Sequence, residues 1–331
     1  MIKIRALPKF IIPFLWLYIL ITLSACDSTS SAPPVTPITL QLSWTHGAQF
    51  AGFYAAEERG YYAAEGLAVT FIEGGGEVDR LSSVLEGKVQ FGLGGGPEMI
   101  RARAEGKPTR VVAAVFQHDP FAFFALADSG ITRPEDFAGK RIQIRERARP
   151  FLQAVTSRVG LSSDDYTEDT GANFEDIYSG KVDVAIGFVT AQLLEAEAAG
   201  YELNVIYPDD YGVHFYTDLI FTTDELIKTQ PDLVTRFLRA TLKGWTYALE
   251  NSTKMGSIIQ NYDPELEPRL EEAKLIASLP LINTGENYIG WMKPEVWAGM
   301  EQTLREQKAL ATPSEISQVY TLQFLQEIYE Q

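Results

Sequence analysis

The sequence predicts an α/β protein of two lobes joined by a two-strand hinge, and three observations lead there. First, one unit is used twice. "EGKVQFGLGGG" (86–96) and "SGKVDVAIGFV" (179–189) share Gly-Lys-Val, an apolar strand and a glycine near its end. Upstream, "TLQLSW" (39–44) and "RIQIRE" (141–146) are short strands leading into a turn and a helix, so each unit reads strand, helix, strand, helix, strand. Second, the helices carry start and stop signals. Val78, Leu81, Val84 and Leu85 make an apolar face closed by Gly87; Pro97 opens a helix that Gly106 ends, and Pro150 opens one that Gly160 ends. Third, two long segments, 109–128 and 207–225, carry the chain from one unit to the other and back. Strands alternating with helices imply parallel sheets with right-handed crossovers.

In chain order, residues 1–26 come first as a targeting segment. Lys3, Arg5 and Lys9 precede an apolar run, Phe10 to Leu23, shorter than the ~20 residues a membrane span needs. The run closes on Leu23-Ser24-Ala25-Cys26, which resembles a bacterial lipobox with Cys26 as the lipidated residue. Residues 27–37, "DSTSSAPPVTP", read as a flexible tether. Lobe one is expected over 38–125 and 215–331, with amphipathic helices from about 224 onward completing it, and lobe two over 126–214. The expected location is therefore extracytoplasmic, in the periplasm or on the outer face of a membrane, held by a lipid anchor.

Composition narrows the function. Residues 1–26 hold three basic and no acidic side chains, so the rest of the chain sets 25 basic against 44 acidic residues, a net of −19. That balance disfavours a nucleic-acid surface. Cys26 is the only cysteine, which leaves no disulfide for the exported part. The protein is expected to work as a monomer.

In open α/β sheets, ligands bind beyond the carboxyl ends of strands. Trp44, His46 and Gln49 follow the first strand of lobe one and should line the cleft. Trp44 suits stacking on a flat ring, and Gln49 suits a ring edge. Gly94, Gly95 and Gly96 precede a helix, where backbone N–H groups can meet a ligand oxygen. They match neither a dinucleotide fingerprint nor a phosphate-cradling loop. In lobe two, Arg145, Arg147 and Arg149 could fork onto an anion. Thr190 and Gln192 follow its third strand. Gln117, Asp119 and Tyr211 in the crossings complete the expected ligand-binding set. The three histidines, His46, His118 and His214, lack a paired ligand spacing. They are expected to hydrogen-bond at the cleft or hinge, with no metal and no cofactor.

The stretch Q-F-A-G-F-Y-A-A-x-x-x-G-Y-Y-x-x-E-G-L resembles the opening of the binding proteins that capture thiamine-pyrimidine precursors and riboflavin for ABC importers. "GKVQFGLGGGPEMIRARAEGKP", "ITRPEDFAGKRI", "YGVHFYTDLIFTT" and "FLRATLKGWTYALEN" continue the likeness over roughly 38–255. The resemblance implies a type II periplasmic-binding-protein fold, an ABC permease as membrane partner and a small aromatic heterocycle as ligand. The cysteine-rich motif of the family's pyrimidine synthases is missing, so a binder and not an enzyme is expected. Where pyrimidine binders are expected to carry an acidic pair, this chain has Thr190-Ala191-Gln192. A glutamine offers both donor and acceptor, which leans toward the imide edge of a flavin. The alternatives are an alkanesulfonate, taurine or nitrate binder, which the arginines favour, and a pyrimidine-forming enzyme.

Overall fold

The computed structural model describes residues 35–76, 78–310, 312 and 315–330. The expected targeting segment, with Cys26, and all but the last residues of the expected tether lie outside the described residues.

Among the described residues, ten strands follow in order: β1 (Thr36–Gln41), β2 (Leu67–Ile72), β3 (Phe91–Gly94), β4 (Thr109–Phe116), β5 (Phe121–Leu126), β6 (Arg141–Gln143), β7 (Thr167–Asp169), β8 (Ala185–Phe188), β9 (Leu203–Ile206) and β10 (Thr217–Thr223). The first sheet has the order β2-β1-β3-β10-β4. β1 pairs in parallel with β2 and β3, while β10 runs antiparallel to β3 and β4. The second lobe repeats this plan. β6 and β7 are parallel, a parallel bridge joins Ile142 to Val184 just before β8, and β5 runs antiparallel to β8 and β9. Its order is thus β7-β6-β8-β5-β9, matching the first sheet strand for strand. The twofold pattern read from Gly-Lys-Val and its neighbours is a real structural repeat.

Each lobe also borrows its antiparallel strand from a crossing. The chain leaves the first sheet at Phe116 and enters the second at Phe121; it leaves β9 at Ile206 and returns at Thr217. The boundary expected at 125/126 therefore falls instead in residues 117–120. "FAFFAL" is apolar enough to be a buried strand of either sheet, and its pairing with β8 and β9 decides for the second.

Strands buried on both faces read as continuous apolar runs, as β3 and β4 do. The 20-residue helix Pro231–Glu250 starts with proline at its first position and buries Leu233, Val234, Phe237, Leu238, Leu242 and Trp245. It packs on the helix Ala51–Glu58, against the first sheet. One hydrophobic cluster runs through both lobes, with a smaller one around Phe124, Phe174 and Ile177 under the second sheet.

Candidate functional site

Between the lobes lies a cleft of two hollows, one of about 440 Å³ and one of about 1090 Å³. Trp44, Gln49, Phe121, Arg145 and Phe188 line both, so the hollows meet at these residues. Trp44 and Gln49 come from the turn after β1. Phe121 opens β5 and Phe188 closes β8, where they face each other in register with ring centroids 4.4 Å apart. Aromatic rings therefore stand on both walls, Trp44 from lobe one and the two phenylalanines from lobe two.

The smaller hollow adds His46, Thr190 and Gln192. His46 Nδ1 lies 2.6 Å from the Tyr54 hydroxyl, whose pKa burial pushes well above the ordinary phenol range. The Gln192 side-chain oxygen accepts the Phe188 N–H at 2.8 Å, which closes the turn after β8 and aligns the start of the helix Gln192–Ala198. A ligand thus meets this amide mainly through its NH₂ group, a narrower offer than the donor-and-acceptor edge read from sequence. Lys274, Glu271 and Ser278 reach the same hollow from the helix Pro268–Ile282. Burial alone would lower the Lys274 pKa, but the carboxylates of Glu195 and Glu271 outweigh it and raise the value.

The larger hollow adds Gly94, Gly95, Asp119, Ser43 and Asp218. A Cβ on Gly95 would meet nothing within 4 Å, so its backbone is open to the cleft; one on Gly96 would sit 2.5 Å from Met300 Sδ. The glycine run thus serves both packing and access. Asp119 Oδ1 caps the Phe121 N–H at 2.9 Å. Asp218 accepts from the Ser43 hydroxyl at 2.5 Å and is held at φ 46°, a left-handed backbone uncommon outside glycine. Such a conformation often accompanies a site.

Arg149, one of the three expected anion-binding arginines, is paired to Glu168 at 2.9 Å and to Glu146. Arg145 is exposed in the cleft and has no ion pair among the described residues. Arg147 has its backbone in the turn Glu146–Ala148, and its side chain lies outside what is described. Two expected residues do not line the cleft. Gln117 is buried, donating to the carbonyls of Ala114 and Trp291, so it fastens the first crossing. Tyr211 packs against the core at the second crossing.

Sequence reasoning missed Phe121 and Phe188 as cleft residues, and missed Lys274 and Glu271. The aromatic run was legible only as a strand, with no sign that its first ring ends in the cleft. The second pair carries no local signal, because the burial of Glu271 shows only in the fold.

Two α/β lobes of matching strand order, enclosing a cleft between crossings, define the type II periplasmic-binding-protein fold. The alkanesulfonate-binding protein SsuA from Xanthomonas axonopodis pv. citri, solved with MOPS bound, shares it: TM-score 0.66 and 15% identity, over 88% of this chain and 100% of that one. Within this fold, the chain belongs to the family described as NMT1/THI5 like, whose profile matches residues 47–254. The riboflavin-binding protein RibY of Chloroflexus aurantiacus is 28% identical, over 91% of this chain and 90% of its own length. A 4-amino-5-hydroxymethyl-2-methylpyrimidine phosphate synthase of Legionella pneumophila is 27% identical over 87% and 92%. The formylaminopyrimidine-binding protein of Halalkalibacterium halodurans is 26% identical over 80% and 83%.

Proposed function

We propose that this protein captures a planar heterocycle, a flavin in preference to a pyrimidine precursor, and hands it to an ABC permease. The observation that carries the reading is the pairing of Trp44 on one wall with Phe121 and Phe188 on the other, where both hollows meet. A flat ring entering there contacts aromatic faces from each lobe, which rewards closure. Two connected hollows suit a ligand with a ring and a polar chain, and ligand pockets typically span ~300–1,000 Å³. The names of the riboflavin-binding and formylaminopyrimidine-binding relatives support the same ligand classes. Binding without turnover is the role proposed, despite the synthase among the relatives. Cys26 is proposed to carry the lipid that holds the protein on the extracytoplasmic side of a membrane.

A second reading rests on Arg145, a cleft cation with no ion pair among the described residues: an anionic ligand such as a sulfonate. Native mass spectrometry of protein purified without refolding, followed by titration with riboflavin, an aminopyrimidine and taurine, tests both. Retained or tightly bound flavin supports the proposal. Tight sulfonate binding that ignores Trp44→Ala but is lost in Arg145→Gln establishes the second reading, and iron-dependent formation of a pyrimidine would make the protein an enzyme.

A further inference from the structure

Away from the cleft lining, three side chains with metal-ligating atoms converge on the hinge. His118 lies in the first crossing, and Asp209 and His214 lie in the second. His118 Nδ1 is 3.0 Å and His214 Nδ1 is 3.2 Å from the same oxygen, Asp209 Oδ2. The two imidazoles meet edge to face with centroids 5.0 Å apart. One ligand atom from each residue falls within 4.8 Å of the other two.

We infer that His118, Asp209 and His214 form a binding site for a divalent transition-metal ion, zinc being the ion their donors suit, and that the ion ties the two crossings together. Two imidazole nitrogens and one carboxylate oxygen make a donor set favoured by zinc and its neighbours, whereas calcium and magnesium favour all-oxygen shells. Tetrahedral zinc with bonds of ~2.0–2.1 Å sets neighbouring ligand atoms ~3.3–3.4 Å apart. The two nitrogen–oxygen distances are already within a few tenths of an ångström of that spacing. The ligand atoms of all three residues lie within 4.8 Å of one another, so binding an ion needs the two nitrogens to draw closer together. Three protein ligands leave a fourth position for water.

The surroundings agree with a metal site. The side chains are 43%, 33% and 29% exposed for His118, Asp209 and His214, so an ion can reach them from solvent.

The same contacts would serve a plain hydrogen-bonded trio, in which both rings donate from Nδ1 to one carboxylate oxygen. The two cases differ in what they predict for a hinge. An ion held by both crossings resists their relative twist, so metal occupancy and cleft closure become linked, and the linkage is reciprocal.

The test uses the full chain stripped with a chelator and titrated with Zn²⁺ by calorimetry and by competition against a chromophoric chelator. One zinc per chain is expected. His118→Gln, His214→Gln and Asp209→Asn should each weaken it about tenfold or more, since even outer-shell changes cost ~10–100-fold. Cobalt substitution should give a visible absorption band that the double histidine variant loses. Circular dichroism separates ligand loss from misfolding, and if Asp209→Asn fails to fold, the two histidine variants decide. Absence of stoichiometric zinc, or zinc binding left intact by the double histidine variant, overturns the inference.

Discussion

Lys274 Nζ lies 2.8 Å from Glu195 Oε1, an ion pair that crosses the cleft from the helix Pro268–Ile282 to the helix Gln192–Ala198. On its own side the lysine is anchored 3.1 Å from Glu271, which is 2% exposed and whose other oxygen accepts the Ala48 N–H at 2.7 Å. The lysine is thus fixed to one lobe, while Glu195, with its side chain 41% exposed, is the releasable partner. Such a pair contributes little to folding, ~0–1 kcal/mol, yet it forms only when the lobes meet. Glu195→Gln should therefore speed ligand release up to about fivefold without changing thermal stability. Stopped-flow dissociation measures this; an unchanged off-rate would remove the latch from the mechanism.

The other end of that network should behave differently. Glu271 is buried, takes the Ala48 N–H and balances Lys274. Glu271→Ala leaves a buried donor and a half-buried cation underserved, at a cost of roughly 1.5–3 kcal/mol of folding stability. Urea unfolding should show it, whereas Glu195→Gln leaves the midpoint in place.

Gly52 and Gly244 explain much of the resemblance seen in the sequence. A Cβ on Gly52 would lie 2.1 Å from the Trp245 ring, and one on Gly244 would lie 2.2 Å from the Gly52 carbonyl. "QFAGFY" and "LKGWTY" are two sides of one close helix contact. Gly52→Ala and Gly244→Ala should each destabilise by ~1–3 kcal/mol, the usual cost of overpacking, while ligand affinity in folded material stays the same. Thermal unfolding beside ligand titration checks both halves; a selective loss of binding would place this motif in the site instead.

What the sequence made legible follows from the range of the interactions. The repeated unit, its strand order and the residues just beyond strand ends, Trp44, Gln49, Gly95 and Thr190, depend on local pattern plus one rule of α/β sheets. Lys274 and Glu271 reach the cleft from more than two hundred residues after Trp44, and no local pattern reports that. Gln117 and Tyr211 stand off the cleft lining, which sequence does not reveal because a polar or aromatic residue in a crossing looks the same whether it faces a ligand or fastens the chain. The crossing point at 117–120 was hidden for a related reason: β5 is apolar throughout, and only its pairing partners assign it to a lobe.

Gln192 separates the two heterocycle classes. Its oxygen already holds the Phe188 N–H, so Gln192→Glu can keep that bond while replacing the NH₂ donor by an acceptor. Folding should be nearly unaffected. Flavin affinity should fall and aminopyrimidine affinity should rise, each read by calorimetry. If both ligands weaken equally, the residue shapes the turn without selecting the ligand.

Trp44 carries the sharpest prediction, because it lines both hollows opposite Phe121 and Phe188. A stacked flavin or aminopyrimidine should quench tryptophan fluorescence, and the quench should vanish in Trp44→Ala, while taurine leaves it unchanged. The other four tryptophans include Trp245 and Trp297, which are fully buried in the core and supply a steady background. Trp44→Ala should cost about 2 kcal/mol or more of binding, the usual loss when a buried aromatic anchor is truncated. The ligand effect on stability gives an independent measure. A ligand at ~100 times its dissociation constant stabilises the native state by roughly 2.7 kcal/mol. That should move the melting temperature by a few degrees in the native protein, since ~1 kcal/mol is worth about 2–4 °C in domains of 150–250 residues and somewhat less in a larger one. At the same ligand concentration the variant should lose most of that shift. A flavin-induced shift of full size in Trp44→Ala would show that the ring binds elsewhere and that the aromatic walls are packing alone.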